Sequence, residues 1–216
     1  MRNIRVWFEK HEQAKYISHL DLNRYMPRAI RRAKIPAWYT EGFNKHLYIN
    51  FALPLSMGFE SRNDCFEIRI VDDEFTDGQV LENLSNAMPL GIKITKITDS
   101  LTPYKNIAFA EYNILLDYPS KDINNISRFF ENDVINVVKK SKRGEKNINL
   151  KEIIKRIYFK EADNKVLINV ILPAGCTDNI NPTLLLQAIS DEFNCEIDYL
   201  RIIRNCFYTS DLNVFK

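Results

Sequence analysis

Histidine and glycine are scarce in this sequence of 216 residues, and each scarcity excludes a class of site. Histidine occurs only as His11, His19 and His46, so any acid–base chemistry by histidine falls on one of these three residues. The glycines form no phosphate-wrapping loop of a recognised kind, because Gly42 and Gly58 stand alone. The sequence therefore offers little support for a nucleotide cofactor or for a catalytic triad.

Cysteine is equally sparse, and its spacing argues against a metal centre. The four cysteines are Cys65, Cys176, Cys195 and Cys206. No two are separated by two residues, and no histidine lies near them at the spacing of metal ligands. We therefore expect reduced, buried or half-buried thiols, no metal and no cofactor in this chain. The lack of three closely spaced cysteines also means that the chain cannot itself hold an iron–sulfur cluster of the kind that such a motif binds.

Long apolar runs and an excess of one charge are also missing. Residues 1–8 contain no apolar signal region, and no later window is long enough to span a membrane, so we expect a cytoplasmic protein. The formal net charge is only +2, which means that nucleic-acid binding can be argued from local clustering alone. A hydrophobic fraction of 45% over 216 residues is enough for one large core or two small ones.

Hydrophobic periodicity divides the first hundred residues into six elements. Ile4, Val6 and Phe8 alternate with polar or larger residues, as in a half-buried strand. Strands are predicted at residues 3–10, 46–53, 65–71 and 92–97, and helices at residues 18–34 and 76–88. The order is β-α-β-β-α-β, which is the ferredoxin-like arrangement.

A second set of elements follows an aperiodic segment around Pro103, where we place a domain boundary between residues 1–103 and 104–216. The predicted order is a strand at 111–118, a helix at 122–133, a strand at 134–141, an irregular basic segment, a hairpin of 155–161 with 165–172, a helix at 184–193 and a strand at 196–208. Residues 150–155 also fit an amphipathic helix. We predict an α+β protein of two tandem ferredoxin-like (β-α-β-β-α-β) halves with antiparallel sheets.

The helix at residues 18–34 is the best candidate for a working surface. Ser18 and Asp21 have the spacing of a capping box, which predicts that the helix begins near Leu20. Its polar face carries Arg24, Arg28, Arg31 and Arg32. No acidic residue follows Asp21 on this helix. The arginines must therefore bind a phosphate, a carboxylate from elsewhere in the chain or in a partner, or water. A solvated helix face explains the same pattern. Pro27 predicts a kink or two short helices.

The loop after this helix returns the chain to a strand, so we expect the loop and the helix to share one concave surface. The predicted surface is edged by His19, Asp21, Arg24, Arg28, Glu41, Phe43, Asn44 and Lys45. Asp21 and Glu41 would orient the arginines, and Phe43 would supply an apolar or stacking wall. In the structural alternative, Asp21 only caps the helix, Glu41 pairs with an arginine, and Phe43 anchors the loop in the core.

The outer face of the first predicted sheet mixes aromatic and basic side chains. Its members are Arg5, Trp7, His46, Tyr48, Asn50, Arg69 and Lys93. Such a surface can stack the bases of RNA. The alternative is that a second domain packs across it, with Trp7 as a core residue between the two.

Four sequence motifs resemble the radical SAM-linked protein family of bacteria. They are Ser-His-Leu-Asp at 18–21, Arg-Ala-Ile-Arg-Arg-Ala at 28–33, Glu-Gly-Phe-Asn at 41–44 and Pro-Leu-Ser-Met-Gly at 54–58. The chain departs from the family pattern at Lys45, where proline is usual, and at Thr40, where serine is common. The resemblance implies a radical SAM-type enzyme as partner but no activity, and any radical chemistry must come from that other polypeptide. It also favours His19 over the other histidines.

These observations support three hypotheses. The first is an accessory protein that holds RNA or a similar polyanion for a radical SAM-type enzyme, with Lys139, Lys140, Lys142, Arg143 and Lys146 extending the cationic footprint. The second is a metal-independent RNA-processing enzyme that uses His19 as general base. The third is an adaptor whose arginines meet an acidic protein partner without nucleic acid. No membrane partner is expected under any of them.

Overall fold

The computed structural model describes residues 1–119, 123–141, 144–175 and 179–216. These residues form a mixed α+β protein with antiparallel sheets and five α-helices, as the sequence predicted at the level of fold class. The chain divides into two compact units. The first contains Met1–Tyr104 and Lys216, and the second contains Lys105–Phe215.

The first unit is a four-stranded sheet with two α-helices. Its elements are β1 (Arg2–Lys10), α1 (His19–Arg32), β2 (Ile49–Phe51), β3 (Glu60–Ile70), α2 (Asp77–Asn86) and β4 (Ile92–Asp99), with a 3₁₀ helix at Glu12–Tyr16 before α1. The strand order is β4-β1-β3-β2, and all neighbours are antiparallel. One sheet face packs on the helices, since alternate residues such as Phe8, Phe66 and Ile68 join Met26 and Ile30 of α1 in the core.

Both predicted helix starts of this unit are confirmed. The Ser18 hydroxyl accepts a hydrogen bond from the Asp21 backbone N–H at 3.1 Å, and Thr76 forms a complete capping box with Gln79 ahead of α2. Of the two alternatives predicted at Pro27, a kink or two short helices, the second is wrong, because α1 is one helix from His19 to Arg32 that contains Pro27. The arginine-bearing face is therefore a single, continuous surface.

Gly91 is packed so closely that no other residue fits without rearrangement. It lies at φ +83° just before β4, and its carbonyl accepts from the His11 backbone N–H at 2.8 Å. A Cβ at this position would stand 2.5 Å from the His11 carbonyl oxygen and 2.8 Å from the Ala14 Cβ. Gly91 thus supports the segment that leads into α1.

The second unit contains a second four-stranded sheet and a separate hairpin. Its elements are β5 (Phe109–Pro119), α3 (Ile123–Phe129), β6 (Asn136–Ser141), β7 (Gly144–Asn149), α4 (Leu150–Ile153), β8 (Arg156–Ala162), β9 (Lys165–Pro173), α5 (Thr183–Phe193) and β10 (Tyr199–Tyr208). The sheet order is β10-β5-β9-β8, and β6 pairs with β7 alone. The prediction of an irregular basic segment between residues 141 and 155 is wrong, because β7 occupies part of it. Some residues named in the predictions lie outside the described residues: Asp122 of a predicted helix, Lys142, Arg143 and Cys176.

The structure shortens one predicted strand and confirms the predicted hairpin. The strand expected at residues 46–53 is shorter, with only Ile49–Phe51 paired to β3. The hairpin of β8 and β9 is confirmed, and it turns through Asp163 and Asn164 at φ +49° and +61°. Asparagine and aspartate tolerate these left-handed conformations better than most residues do.

Candidate functional site

The arginine face of α1 includes an open groove beside the first turns of the helix. The groove is lined by Ile17, Asp21, Arg24, Tyr25 and Arg28. Arg24 stands 3.7 Å from the Asp21 carboxylate, but both side chains are more than half exposed, so this ion pair contributes little to stability. The groove therefore combines an apolar floor with two cationic side chains.

Arg28 is the groove arginine whose guanidinium has no partner among the described residues. Its side chain is exposed, and within the described residues it makes no hydrogen bond or ion pair. Arg24 and Asp21 are its charged neighbours in the groove. An exposed arginine without an acceptor is ready to bind the planar fork of two phosphate oxygens or of a carboxylate.

Arg31 and Arg32 are held by tyrosines and do not line the groove. The Arg31 Nε donates to the Tyr39 hydroxyl at 3.4 Å, and its guanidinium carbon lies 6.0 Å from that ring centre. Arg32 donates to the Tyr25 hydroxyl at 2.9 Å and to the Ala87 carbonyl at 3.2 Å. The four arginines share one helix face, but the groove itself uses Arg24 and Arg28.

The loop of residues 41–45 stands apart from the groove. Phe43 is fully exposed, so its interpretation as a core anchor is wrong. In the part of the chain that the structure describes, the side chains of Glu41, Phe43 and Lys45 make no hydrogen bond, ion pair or ring contact, so the expected pairing of Glu41 with an arginine is absent. The loop is closed by His46, whose Nδ1 lies 3.1 Å from both Thr40 Oγ1 and the Asn44 carbonyl. The loop residues therefore do not line the groove with Asp21, Arg24 and Arg28.

His19 lines a small cavity beneath the start of α1 rather than the groove. Its ring packs edge-on against Phe51, with ring centres 5.6 Å apart. The cavity volume is only about 10 Å³, and its polar lining includes Lys10 and Asp64. The apolar lining is Phe8, Leu22, Phe51, Leu53 and Leu55, together with Cys65.

Lys10 and Asp64 were missed as site residues, although the strand pattern contained their signal. Lys10 is 2% exposed and Asp64 is 6% exposed. Lys10 continues the inward series of β1 after Phe8, and Asp64 precedes the inward series of β3 that continues with Phe66. A charged residue in an inward position is more informative than an exposed one, because burying a charge is costly. The Lys10 Nζ donates to the Ile17 carbonyl at 3.2 Å.

The described cysteines are free thiols, as predicted. Cys65 is buried, whereas Cys195 and Cys206 are half-buried. Burial raises the pKa of the Cys65 thiol to about 12, and burial raises the pKa of Cys206 to about 11. Both thiols are therefore protonated at neutral pH and lack the thiolate character of a catalytic cysteine.

A polar cluster on the second unit is organised around Glu111. Its carboxylate accepts hydrogen bonds from Asn169 at 2.6 Å, from the Tyr208 hydroxyl at 2.7 Å and from Asn205 at 3.3 Å. Burial acts to raise the pKa of Glu111, but these hydrogen bonds and one from Cys206 outweigh it, so the pKa lies below its ordinary value. Donors from β9 and β10 thus satisfy the carboxylate that β5 carries.

The expected aromatic–basic sheet face is only partly accessible. Arg5 is 0% exposed and Trp7 is 2% exposed, so neither can stack a base. Arg5 donates to the Glu67 carboxylate at 2.7 Å, and the Trp7 Nε1 donates to Thr98 Oγ1 at 3.0 Å. Tyr48 and Arg69 remain accessible at the other end of this face.

The described residues contain neither a metal-binding cluster nor a membrane-spanning helix. No group of three or more histidine, cysteine, aspartate or glutamate side chains could hold a metal ion. Within the same residues, each helix is too short or too polar to cross a bilayer. Of the predicted basic extension, Lys139 donates to the Asn179 carbonyl at 2.7 Å, and Lys146 is exposed.

The fold and the groove define an α+β protein with an exposed, arginine-rich helix. The chain belongs to the bacterial family described as "Uncharacterized protein conserved in bacteria (DUF2344)", whose model matches residues 3–182. No curated protein sequence matches the chain.

Similarity to solved structures concerns the fold alone. The chain is similar to a chain in the crystal structure of a Cbf5-Nop10-Gar1 complex, with 10% identity and a TM-score of 0.53 over 94% of this chain and 48% of that chain. This protein thus spans about half the length of that neighbour. An unknown protein from Galdieria sulphuraria is 11% identical over 92% of this chain and 96% of the other, with a TM-score of 0.27.

Proposed function

We propose that this protein is an accessory protein that binds RNA or a similar polyanion and acts with a separate radical SAM-type enzyme. The observation that carries the proposal is the uncommitted guanidinium of Arg28 beside Arg24 in an open groove. Two arginines at this spacing suit consecutive phosphates or one bidentate contact. Arg31 and Arg32 add positive potential on the same helix face, although their tyrosine contacts fix their position.

The partner and the finer description of the fold belong to the same proposal. The resemblance of residues 18–21, 28–33, 41–44 and 54–58 to radical SAM-linked proteins supports the choice of partner. The strand orders β4-β1-β3-β2 and β10-β5-β9-β8 support two ferredoxin-like units, since each equals the order 4-1-3-2 when the strands of its main sheet are counted within the unit. Purification of the protein from its own cells, followed by absorption spectroscopy for an iron–sulfur cluster, tests for the partner.

RNA binding is tested by titrating the protein with bulk cellular RNA at low and moderate salt. We expect binding at low salt that weakens steeply as salt is added, because phosphate contacts release counterions. The double change of Arg24 and Arg28 to glutamine should weaken binding at least tenfold, while the fold measured by circular dichroism stays intact. Absence of binding at low salt would remove the proposal.

A matched control distinguishes the effect of the groove arginines on binding from the effect of a lower net charge. The double change of Arg128 and Arg156 to glutamine removes the same charge from exposed positions on the second unit. We expect this control to bind RNA as the unchanged protein does. Equal losses in both double variants would mean that only net charge matters and that the groove has no special role. Binding to an acidic protein after nuclease treatment, with no RNA binding, would favour the adaptor hypothesis instead.

The cavity at His19 supports a second candidate, a metal-independent RNA-processing enzyme. His19 shares this cavity with the buried charged groups of Lys10 and Asp64, and such environments are typical of acid–base sites. In this reaction His19 takes the proton of a ribose 2′-hydroxyl, whose oxygen attacks the adjacent phosphorus. The 5′-oxygen leaves and takes a proton from water, which gives a 2′,3′-cyclic phosphate and a 5′-hydroxyl.

Incubation of small RNAs with the protein in EDTA tests the second candidate. Cleavage that is lost in His19→Gln but kept in His46→Gln would support it, because His46 only closes the loop of residues 41–45. Unchanged RNA across many substrates would leave the binding function as the better proposal.

A further inference from the structure

Arg69 lies against two neighbouring aromatic rings on the sheet face that is turned away from α1. Its guanidinium carbon lies 4.8 Å from the ring centre of Trp38 and 5.3 Å from that of Tyr48. The two rings are 5.8 Å apart and inclined by 59°. We call Trp38, Tyr48 and Arg69 the Arg69 stack.

Backbone pairing places these three side chains side by side. The Trp38 N–H donates to the Arg69 carbonyl at 2.8 Å, and the Tyr48 N–H donates to the Trp38 carbonyl at 3.0 Å. Ile68 and Ile70 of β3 face the core under the helices, so Arg69 between them faces the opposite side. The stack therefore belongs to the helix-free face of the first unit, on the side of the sheet away from α1.

The donors of the Arg69 stack are largely unused. The Arg69 Nε donates to Asn3 Oδ1 at 2.9 Å, which fixes the guanidinium. Among the described residues, no acceptor binds its two Nη groups, the Trp38 Nε1 or the Tyr48 hydroxyl. The carboxylate of Glu67, two residues earlier on the same strand, is occupied by Arg5 and Ser100. All three side chains of the stack are half-buried, so part of each stays open to a ligand.

We propose that the Arg69 stack binds one unpaired nucleotide of single-stranded RNA. The phosphate oxygens accept from the Arg69 Nη groups, and the base packs on the accessible ring surface of Trp38 or Tyr48. A carboxylate could use the guanidinium but would leave both rings uncovered, whereas a nucleotide uses the charge and the rings together. The inference rests on the proposed function in its choice of RNA, but it uses a surface on the other side of the sheet from the α1 groove.

Tryptophan fluorescence reports on this site directly. The chain has two tryptophans, and Trp7 is 2% exposed, so a bound oligonucleotide can touch only Trp38. We expect a short oligouridylate to quench the emission in a saturable manner. Trp38→Phe should leave only the Trp7 emission, which the same oligonucleotide does not change. An unquenched signal in the unchanged protein while RNA binds by another measurement would overturn the inference.

Arg69→Gln supplies the quantitative test, with Arg62→Gln as its matched control. Both arginines lie on β3, and Arg62 is exposed, so the two variants lose the same charge from the same strand. We expect Arg69→Gln to weaken oligouridylate binding about tenfold, as the loss of a charged contact and its stacked base would. Arg62→Gln should bind as the unchanged protein does. Equal affinities of the two variants would overturn the inference.

Three ligands separate this inference from the proposed function. Oligouridylate carries phosphates and bases, inorganic polyphosphate carries charge without bases, and polyglutamate carries carboxylates. Polyphosphate that binds through Arg24 and Arg28 without quenching Trp38 supports the groove as a phosphate site and the stack as a site that needs a base. Oligouridylate that binds no better than polyphosphate, with no effect of Arg69→Gln, overturns the stack and leaves the groove. Quenching by oligouridylate that vanishes in Arg69→Gln, together with a polyphosphate affinity that the double change of Arg24 and Arg28 to glutamine does not lower, overturns the groove and leaves the stack. Equal quenching by polyglutamate would overturn a nucleotide site in favour of an acidic protein.

Discussion

The Cys65 thiol shows how one side chain is governed by its surroundings. It lies on β3 at 2% exposure, and burial raises its pKa to about 12. We predict that iodoacetamide at pH 8 does not label Cys65 in the folded protein, because labelling needs both access and a thiolate. Mass spectrometry of the digested protein measures the extent of labelling. Labelling in urea serves as control, and fast modification of Cys65 without urea would contradict this environment.

Glu111 makes stability depend on pH in a defined direction. The folded pKa lies below the ordinary value of 4.5, so the folded state favours the carboxylate. Its contribution is complete above the unfolded pKa and is lost as pH falls through the folded pKa. We predict that the difference in unfolding free energy between the unchanged protein and Glu111→Gln is about 1–2 kcal/mol at neutral pH and shrinks in acid. Urea unfolding at several pH values measures it, and a difference that grows toward low pH would contradict the assignment.

Roles of single residues can be predicted from the sequence where they depend on neighbours a few positions away. Ser18 and Thr76 were identified as caps because a hydroxyl reaches a backbone N–H only three residues away. Lys10 and Asp64 were overlooked because their significance depends on which sheet face is buried, and that is decided by the whole unit. For Phe43 the sequence leaves an exposed wall and a core anchor as alternatives, because an aromatic residue in a loop has no periodicity to show whether it is buried; its full exposure excludes the anchor.

The start of α1 depends on the Ser18 cap. The Ser18 hydroxyl accepts from the Asp21 N–H at 3.1 Å and donates to the Asp21 carboxylate at 2.7 Å. We predict that Ser18→Ala lowers the free energy of unfolding by about 1 kcal/mol, because one N–H of the first turn loses its acceptor. Urea unfolding followed by circular dichroism measures the change. Ser18→Asn keeps an acceptor and should be close to neutral, so equal losses in both variants would argue against capping as the cause.

The predicted boundaries of helices and strands agree with the structure where a periodic apolar face or a turn marks them. The hairpin of β8 and β9 was recognisable from alternation on both sides of Asp163 and Asn164. The strand at residues 46–53 was overestimated, since its pairing with β3 ends after three residues and hydropathy does not record pairing. The strand β7 was missed because its exposed, polar residues lack alternation, and its pairing with β6 defines it.

The charge of the whole molecule makes the salt dependence of binding informative. The formal net charge is +2, so long-range attraction to RNA is weak and local phosphate contacts dominate. We predict that the plot of log affinity against log salt becomes shallower by about 1.4 in the variant with glutamine at Arg24 and Arg28, since each phosphate contact to a single strand contributes about 0.7. Fluorescence anisotropy over a series of salt concentrations measures the slope. An unchanged slope with weaker binding would mean that the arginines act without touching phosphate.

Gly91 has a consequence for how this family can diverge. Any side chain at this position meets the His11 carbonyl and Ala14, so a substitution must move the 3₁₀ turn that sets where α1 begins. The cost would therefore appear far along the sequence, as a displaced arginine groove, rather than at β4 itself. Relatives that replace this glycine should carry compensating insertions or deletions between β1 and α1, and those that keep it can vary the surface of the helix freely. A saturation library would show position 91 as one of the least tolerant sites outside the core.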